Sequence, residues 1–212
     1  MTYYLNSYDR RMGNEQYKDF HAYIYIYMYE LELLLNIHKK DILAISFQSD
    51  EANTDRPLKE YLKQLIEKSC KCLSNSIDKL YIQDLEYLVT DEIRKIYIEK
   101  ILIPDEISDE IKSILSERKD AVYTNPDICL QLNDNGKVIY ETIELKFTKN
   151  DSIPGSSVQQ ISAEEWIIFI KHSDNSIEIT TGVYFHAINA KMQFPDRSPR
   201  PQVSFKELAE WN

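Results

Sequence analysis

The sequence predicts an α/β (α+β) fold: a mixed central sheet of about four to five strands, flanked by helices, with a helical N-terminal part. Three observations carry this. Residues 1–120 hold only Gly13, Pro57 and Pro104, whereas 121–212 hold the other three glycines and five prolines. Long stretches without turn formers permit helices, and regular Gly and Pro punctuation marks strands and loops. Apolar residues recur at helical spacing in the first part, and the second carries alternating runs bounded by turn residues. At 212 residues the chain can bury one sizeable core and is read as a single domain, with residues 1–120 mainly helical and 121–212 the sheet part.

Taken in order, residues 22–37 are apolar on both faces, because Tyr23, Tyr25, Tyr27 and Tyr29 alternate with Ile24, Ile26 and Met28. A buried strand fits, but the Leu-rich continuation favours a buried helix, with the tyrosines in the core rather than forming a base-stacking surface. Thr54-Asp55-Arg56-Pro57 is a helix start, followed at helical spacing by Leu58, Tyr61, Leu62, Leu65, Ile66 and Leu73. Further helices are predicted within 77–89 and 91–101, and Ser108 caps another through Leu115. Residues 127–132 and 137–147 read as strands, joined by the hairpin signal Asn133-Asp134-Asn135-Gly136. A loop at 148–157, a short polar helix at 158–165, and strands at 166–171 and 177–187 follow. The Pro-rich stretch 194–202 is expected to be an extended loop.

Composition excludes several classes. With 25 basic and 35 acidic residues the formal net charge is −10, which argues against coating nucleic acid through bulk positive charge. No basic start precedes an apolar run, and Glu30, Glu32 and Asn36 interrupt the most apolar stretch, so neither a secretory signal nor a membrane span is expected. Cys70, Cys72 and Cys129 form an odd set without a second pair or nearby histidines, which fits reduced thiols in a cytoplasm and no zinc site. His172 and His186 are expected to be packed or exposed rather than ligands.

One strand carries the candidate chemistry. Alternation puts Ile139, Ile143, Leu145 and Phe147 on the core face of 137–147, and Tyr140, Thr142, Glu144 and Lys146 on the other. Glu144 and Lys146 then stand roughly 7 Å apart along the strand. The hairpin brings Asp127 to the same end. Two carboxylates and one ammonium suit Mg²⁺ and a phosphoryl group, because hard oxygen ligands hold the ion and a cation stabilises developing negative charge. E-x-K occurs three times, at Glu110, Glu117 and Glu144, and Pro-Asp three times, at Asp105, Asp127 and Asp196. Only Asp127 with Glu144 and Lys146 places both halves on adjacent predicted strands. An exposed strand face with a neutralising Glu/Lys pair is the structural alternative.

Asn125-Pro126-Asp127 followed by Ile143-Glu144-Leu145-Lys146 resembles the PD-(D/E)xK nuclease superfamily, and the run 147–160 with the short chain resembles its type II restriction endonucleases. The resemblance covers 125–160, and 194–205 more loosely; the first half matches nothing in it. It implies a restriction-endonuclease-like fold and a homodimer cutting double-stranded DNA. It implies that Asp127, Glu144 and the Leu145 carbonyl hold Mg²⁺, and that Lys146 assists the attacking water. It further implies that polar residues just after the motif approach DNA, and that a helix of the first half adds an acid, for which Glu30, Glu60 and Glu67 are candidates.

An acidic chain can still hold phosphate locally. Lys191, Arg197, Arg200 and Lys206 face only Asp196 in their segment, a local +3. Lys149 and Asn150, with Ser156 and Ser157 near Gly155, form a small polar loop suited to close approach. Gln159 and Gln160 are candidates for adenine contact, or simply begin a solvated helix. Two rival readings stay open: a structure-selective repair or recombination nuclease, and a non-catalytic helical interaction module.

Overall fold

The computed structural model describes residues 16–47, 55–82, 85–119, 126–154, 164–173, 176–189 and 202–211. The apolar run near the N-terminus is a helix, α1 (Gln16–Ile37), as expected. Its tyrosines are core: Tyr23 and Tyr27 are fully buried and stack at 5.9 Å, and the Tyr25 ring meets Trp166 edge-on at 4.8 Å. The three polar interruptions of this helix each have a partner. Glu30 accepts from the Ser74 N–H and hydroxyl, Glu32 accepts from the Thr181 N–H at 2.6 Å, and the Asn36 amide donates to the Ile179 carbonyl. A buried charge or amide is tolerated only when bonded in this way.

After α2 (Lys39–Phe47) comes α3 (Asp55–Ser69), which buries Leu58, Leu62, Leu65 and Ile66 on one stripe. The Lys63 ammonium pairs with Glu106 and ties α3 to the turn beyond the first strand of the central sheet.

One predicted helix is a hairpin, and another is only partly helical. Residues 77–89 form a hairpin, β1 (Lys79–Ile82) with β2 (Leu85–Leu88), paired from Lys79↔Leu88 to Ile82↔Leu85. Its apolar residues satisfy helical and strand periods alike. Arg94 decides between them by donating to the Ser74 and Ile77 carbonyls ahead of β1. Within 91–101, only α4 (Asp91–Arg94) is helical, capped by the Thr90 hydroxyl. The rest of that range includes β3 (Tyr97–Leu102), which pairs with a strand of the central sheet. The Ser108 cap holds: its hydroxyl accepts from the Ile111 N–H at the start of α5 (Asp109–Lys119).

The central sheet has five strands in the order β3, β4 (Ile128–Asp134), β5 (Lys137–Thr148), β7 (Trp166–His172), β8 (Ile177–Val183). Neighbours are antiparallel except β5 and β7, which run parallel. The expected mixed sheet with flanking helices is therefore present. The β4–β5 hairpin turns at Asn135 (φ 50) and Gly136 (φ 88), two left-handed residues that match the twist of the flanking strands. The fourth predicted strand ends early, because Tyr184–Ala187 is a short helix, α6. A second small sheet pairs β10 (Gln202–Ser204) with both β6 (Ser152–Pro154) and β9 (Ile188–Asn189), and leads into α7 (Phe205–Trp211). Gln202 is thus a strand residue, not the end of an extended loop.

One face of the sheet packs on α1 and α3 through Ile128, Leu130, Ile143, Ile168 and Ile170. The opposite face carries two smaller apolar clusters. Ile107, Leu115 and Cys129 lie toward α5, and Ile167, Phe169, Tyr184, Phe205 and Leu208 lie toward α7. Cys70 and Cys129 are buried, Cys72 is exposed, and all three are free; burial pushes the Cys70 thiol up to about 12.

Gly182 sets how closely α7 approaches. A Cβ there would lie 2.5 Å from Leu208 Cδ1 and 3.3 Å from Cγ. Gly182→Ala is expected to cost about 1–3 kcal/mol by overpacking, read as a lower urea midpoint, and Leu208→Ala in the same chain should recover part of the loss. An unchanged midpoint would contradict this contact.

Candidate active site

The strip between the two smaller clusters is polar, and it is built by register. Tyr140, Thr142, Glu144 and Lys146 alternate with core residues along β5 and so share the face away from α1, as the sequence predicts. The pairing Ile128↔Ile143 sets Asp127, one residue before β4, beside Glu144. The expected triad of Asp127, Glu144 and Lys146 is therefore brought together.

Its contacts are specific. One Asp127 oxygen accepts from the Leu145 N–H at 2.7 Å, fixing the carboxylate against the strand that carries Glu144. The Lys146 ammonium donates to Glu144 Oε1 at 2.8 Å, so these two side chains meet although their positions are two residues apart. Burial first, and then the neighbouring Asp127 charge, raise the Glu144 carboxyl above the usual range, against the opposing effect of Lys146. Two negative groups are thus held against each other at one end of the hairpin.

The helical part contributes a residue the sequence did not single out. Lys59, on α3 and almost fully buried, places Nζ 2.7 Å from the second Asp127 oxygen. The three acids considered for this role lie elsewhere. Glu30 is bonded to Ser74, Glu60 pairs with Arg56 at 2.9 Å on the surface, and Glu67 is exposed. A signal for Lys59 existed: it falls three and seven residues before the buried Leu62 and Ile66, on the stripe that packs inward.

Two further residues join the strip, one just before β7 and one at the start of α6. Glu165, buried, accepts from the Thr142 hydroxyl at 3.0 Å, and the Tyr184 N–H donates to the Glu165 carbonyl at 2.7 Å. The sequence offered Glu165 only as the end of a polar helix and Tyr184 only as a strand residue. Among the described residues, no group of three or more His, Cys, Asp or Glu side chains gathers closely enough to hold a metal ion by itself.

Of the candidate DNA-contacting residues, Lys149 and Asn150 are exposed in the turn that leaves β5, and the Asn150 N–H donates to the Thr148 hydroxyl. Ser156, Ser157, Gln159, Gln160, Lys191, Arg197 and Arg200 lie outside the described residues. Lys206 is exposed and 3.5 Å from Glu210, so its charge is partly offset. His172 is buried against the Phe147 ring, and burial lowers His186 to about 4, which keeps it neutral. None of the described helices is long and apolar enough to cross a membrane.

No family model matches the chain, and neither the curated proteins nor the solved structures supply a similar one.

Proposed function

We propose that this chain is a Mg²⁺-dependent endonuclease that hydrolyses phosphodiester bonds of double-stranded DNA at a short palindromic sequence, as a type II restriction enzyme does. The observation that supports it best is that the Ile128↔Ile143 pairing sets Asp127 beside Glu144, with Lys146 on Glu144. Two carboxylates beside the Leu145 carbonyl form a hard-oxygen set of the size Mg²⁺ takes, with water and phosphate oxygens completing its shell. Burial first, and the Asp127 charge second, raise the Glu144 carboxyl, and a divalent cation would offset the second of these. Bound there, Mg²⁺ would polarise a phosphoryl oxygen and lower the pKa of a water.

The chain's own groups have distinct tasks in this reading. Asp127 and Glu144 would hold the ion. The Leu145 N–H keeps Asp127 in place. The Lys146 ammonium stabilises negative charge as it develops on the phosphate. Lys149 and Asn150, exposed at the end of β5, are where the phosphate backbone would be met first. A homodimer would match the two-fold symmetry of a palindrome, and a cytoplasmic location belongs to the same reading.

The test is incubation with mixed-sequence plasmid and Mg²⁺, followed by sequencing of the fragment ends. Discrete ends sharing one short symmetric sequence are expected. Cutting confined to branched or damaged DNA would make it a structure-selective nuclease instead. One observation favours a non-catalytic module: each acid already has a lysine, Lys59 on Asp127 and Lys146 on Glu144, as in a structural polar cluster. That reading wins if no DNA is cut and neither Mg²⁺ nor Mn²⁺ stabilises the fold.

A further inference from the structure

The resemblance implies an acid from the first half of the chain at this site, and the structure brings a base there instead. Lys59, in the second turn of α3, is 8% exposed and holds Nζ 2.7 Å from Asp127 Oδ1. The other oxygen, Oδ2, accepts from the Leu145 N–H at 2.7 Å, a contact fixed by the backbone of β5. Of the two oxygens, the one able to change partner is therefore the one on Lys59. Replacing a buried ion pair by apolar residues is often neutral, so stability alone does not account for a lysine here.

The formal charges at this end of the hairpin nearly cancel. Asp127, Glu144 and Glu165 supply three negative charges and Lys59 and Lys146 two positive ones, with each lysine directly on an acid. A divalent cation on Asp127 and Glu144 would turn this slight negative excess into a positive one. Excess charge is costly where side chains are as buried as Lys59 and Lys146. One phosphodiester carries the single negative charge that restores neutrality. Two side-chain carboxylates also leave most of an octahedral shell to other oxygens, which a phosphate supplies. The Lys59 ammonium is a compact charge on a flexible four-carbon stem, so it can turn from a carboxylate to a neighbouring phosphate oxygen without moving α3.

We propose that Lys59 is a phosphate-binding residue of this site: it holds Asp127 in the free chain and passes to a non-bridging phosphodiester oxygen once Asp127 is engaged by a divalent cation. This rests on the metal-dependent reading above and adds a substrate contact from the helical part, outside the Asp127, Glu144 and Lys146 set. Its consequence is a coupling. Cation and phosphate bind better together than apart, because the phosphate receives the ammonium that the cation displaces.

The test uses the full chain, Mn²⁺, and dimethyl phosphate as a phosphodiester with no strand to cut. Mn²⁺ suits an oxygen-only site. Its binding is read by electron paramagnetic resonance of the free ion, with and without dimethyl phosphate, after subtracting the Mn²⁺ that dimethyl phosphate binds by itself. In wild type, dimethyl phosphate should tighten Mn²⁺ binding about tenfold, an ordinary coupling between two ligands. Lys59→Met should bind Mn²⁺ alone more tightly than wild type, and dimethyl phosphate should then change that affinity by less than about twofold. Lys59→Arg should keep most of the coupling, since a guanidinium also binds phosphate. A lysine that only neutralises Asp127 would likewise give tighter Mn²⁺ binding on removal, but the response to dimethyl phosphate would stay as in wild type. Equal coupling in wild type and Lys59→Met therefore overturns the proposal and leaves the nuclease reading standing, as does a wild type that binds Mn²⁺ without responding to dimethyl phosphate. No Mn²⁺ on wild type under either condition overturns both. If Lys59→Met loses its near-ultraviolet dichroism, Lys59→Gln, which keeps a neutral donor for Asp127, is judged by the same loss of coupling.

Discussion

Asp127→Asn is expected to reduce plasmid cleavage by a factor on the order of 10³ or more at saturating Mg²⁺, and Lys146→Ala to do the same, with the fold retained in each. The two variants fail for different reasons. Asparagine keeps an oxygen that can accept from the Leu145 N–H, so the β4–β5 geometry survives, but the negative charge that would hold a cation is gone. The same change leaves the Lys59 ammonium, 2.7 Å away and nearly buried, without its counter-charge. Removing one partner of a buried pair costs about 3 kcal/mol, within the stability of a domain this size. Lys146→Ala leaves Asp127 and its partners untouched and strips the cation from Glu144, so it tests charge stabilisation rather than ion binding. Cleavage is followed by the conversion of supercoiled plasmid, and folding by near-ultraviolet dichroism. Either variant cutting at the wild-type rate sinks the assignment of these residues.

The legible part of this protein was the part whose signals are local. Alternation along β5 separated Ile143 and Leu145 from Glu144 and Lys146, and the Asn135-Gly136 turn fixed the register that sets Asp127 beside them. The core role of the tyrosines in α1 followed from a stretch with no polar face. Tertiary context decided what was missed. Residues 77–89 carry a pattern that serves a helix or a hairpin, and Arg94 bonds the chain ahead of the hairpin. Tyr97–Leu102 became a strand because β4 offers it an edge, which no local propensity encodes. Glu165 and Tyr184 reach the site only because β7 runs parallel to β5, a pairing that depends on a crossover of 17 residues between them. Lys59 was hidden by its type: on a helix a lysine reads as solvated, and only the position of the buried leucines marks it as inward.

Lys59→Met isolates that residue's part. Without metal, the variant loses the ion pair and leaves the Asp127 carboxylate with reduced charge compensation, so it should be about 3 kcal/mol less stable than wild type by urea unfolding. Methionine keeps most of the volume of this buried stem, so the loss reports the charge rather than a cavity. Combining it with Asp127→Asn should recover much of that loss, since the two changes remove one shared interaction. Mg²⁺ then separates a structural pair from a site under electrostatic competition. In wild type the ion must draw Asp127 away from Lys59; in Lys59→Met it meets an uncompensated carboxylate. The Mg²⁺-induced gain in stability should therefore be larger in the variant, approaching about 2.7 kcal/mol at a hundredfold excess over the dissociation constant. Equal gains in the two proteins would mean that Lys59 does not compete for Asp127. A variant as stable as wild type without metal would mean that the pair contributes nothing to the fold. The predicted outcome, lower stability without metal and a larger response to it, follows from the observed Lys59–Asp127 pair taken together with the proposed role of Asp127 in holding a cation.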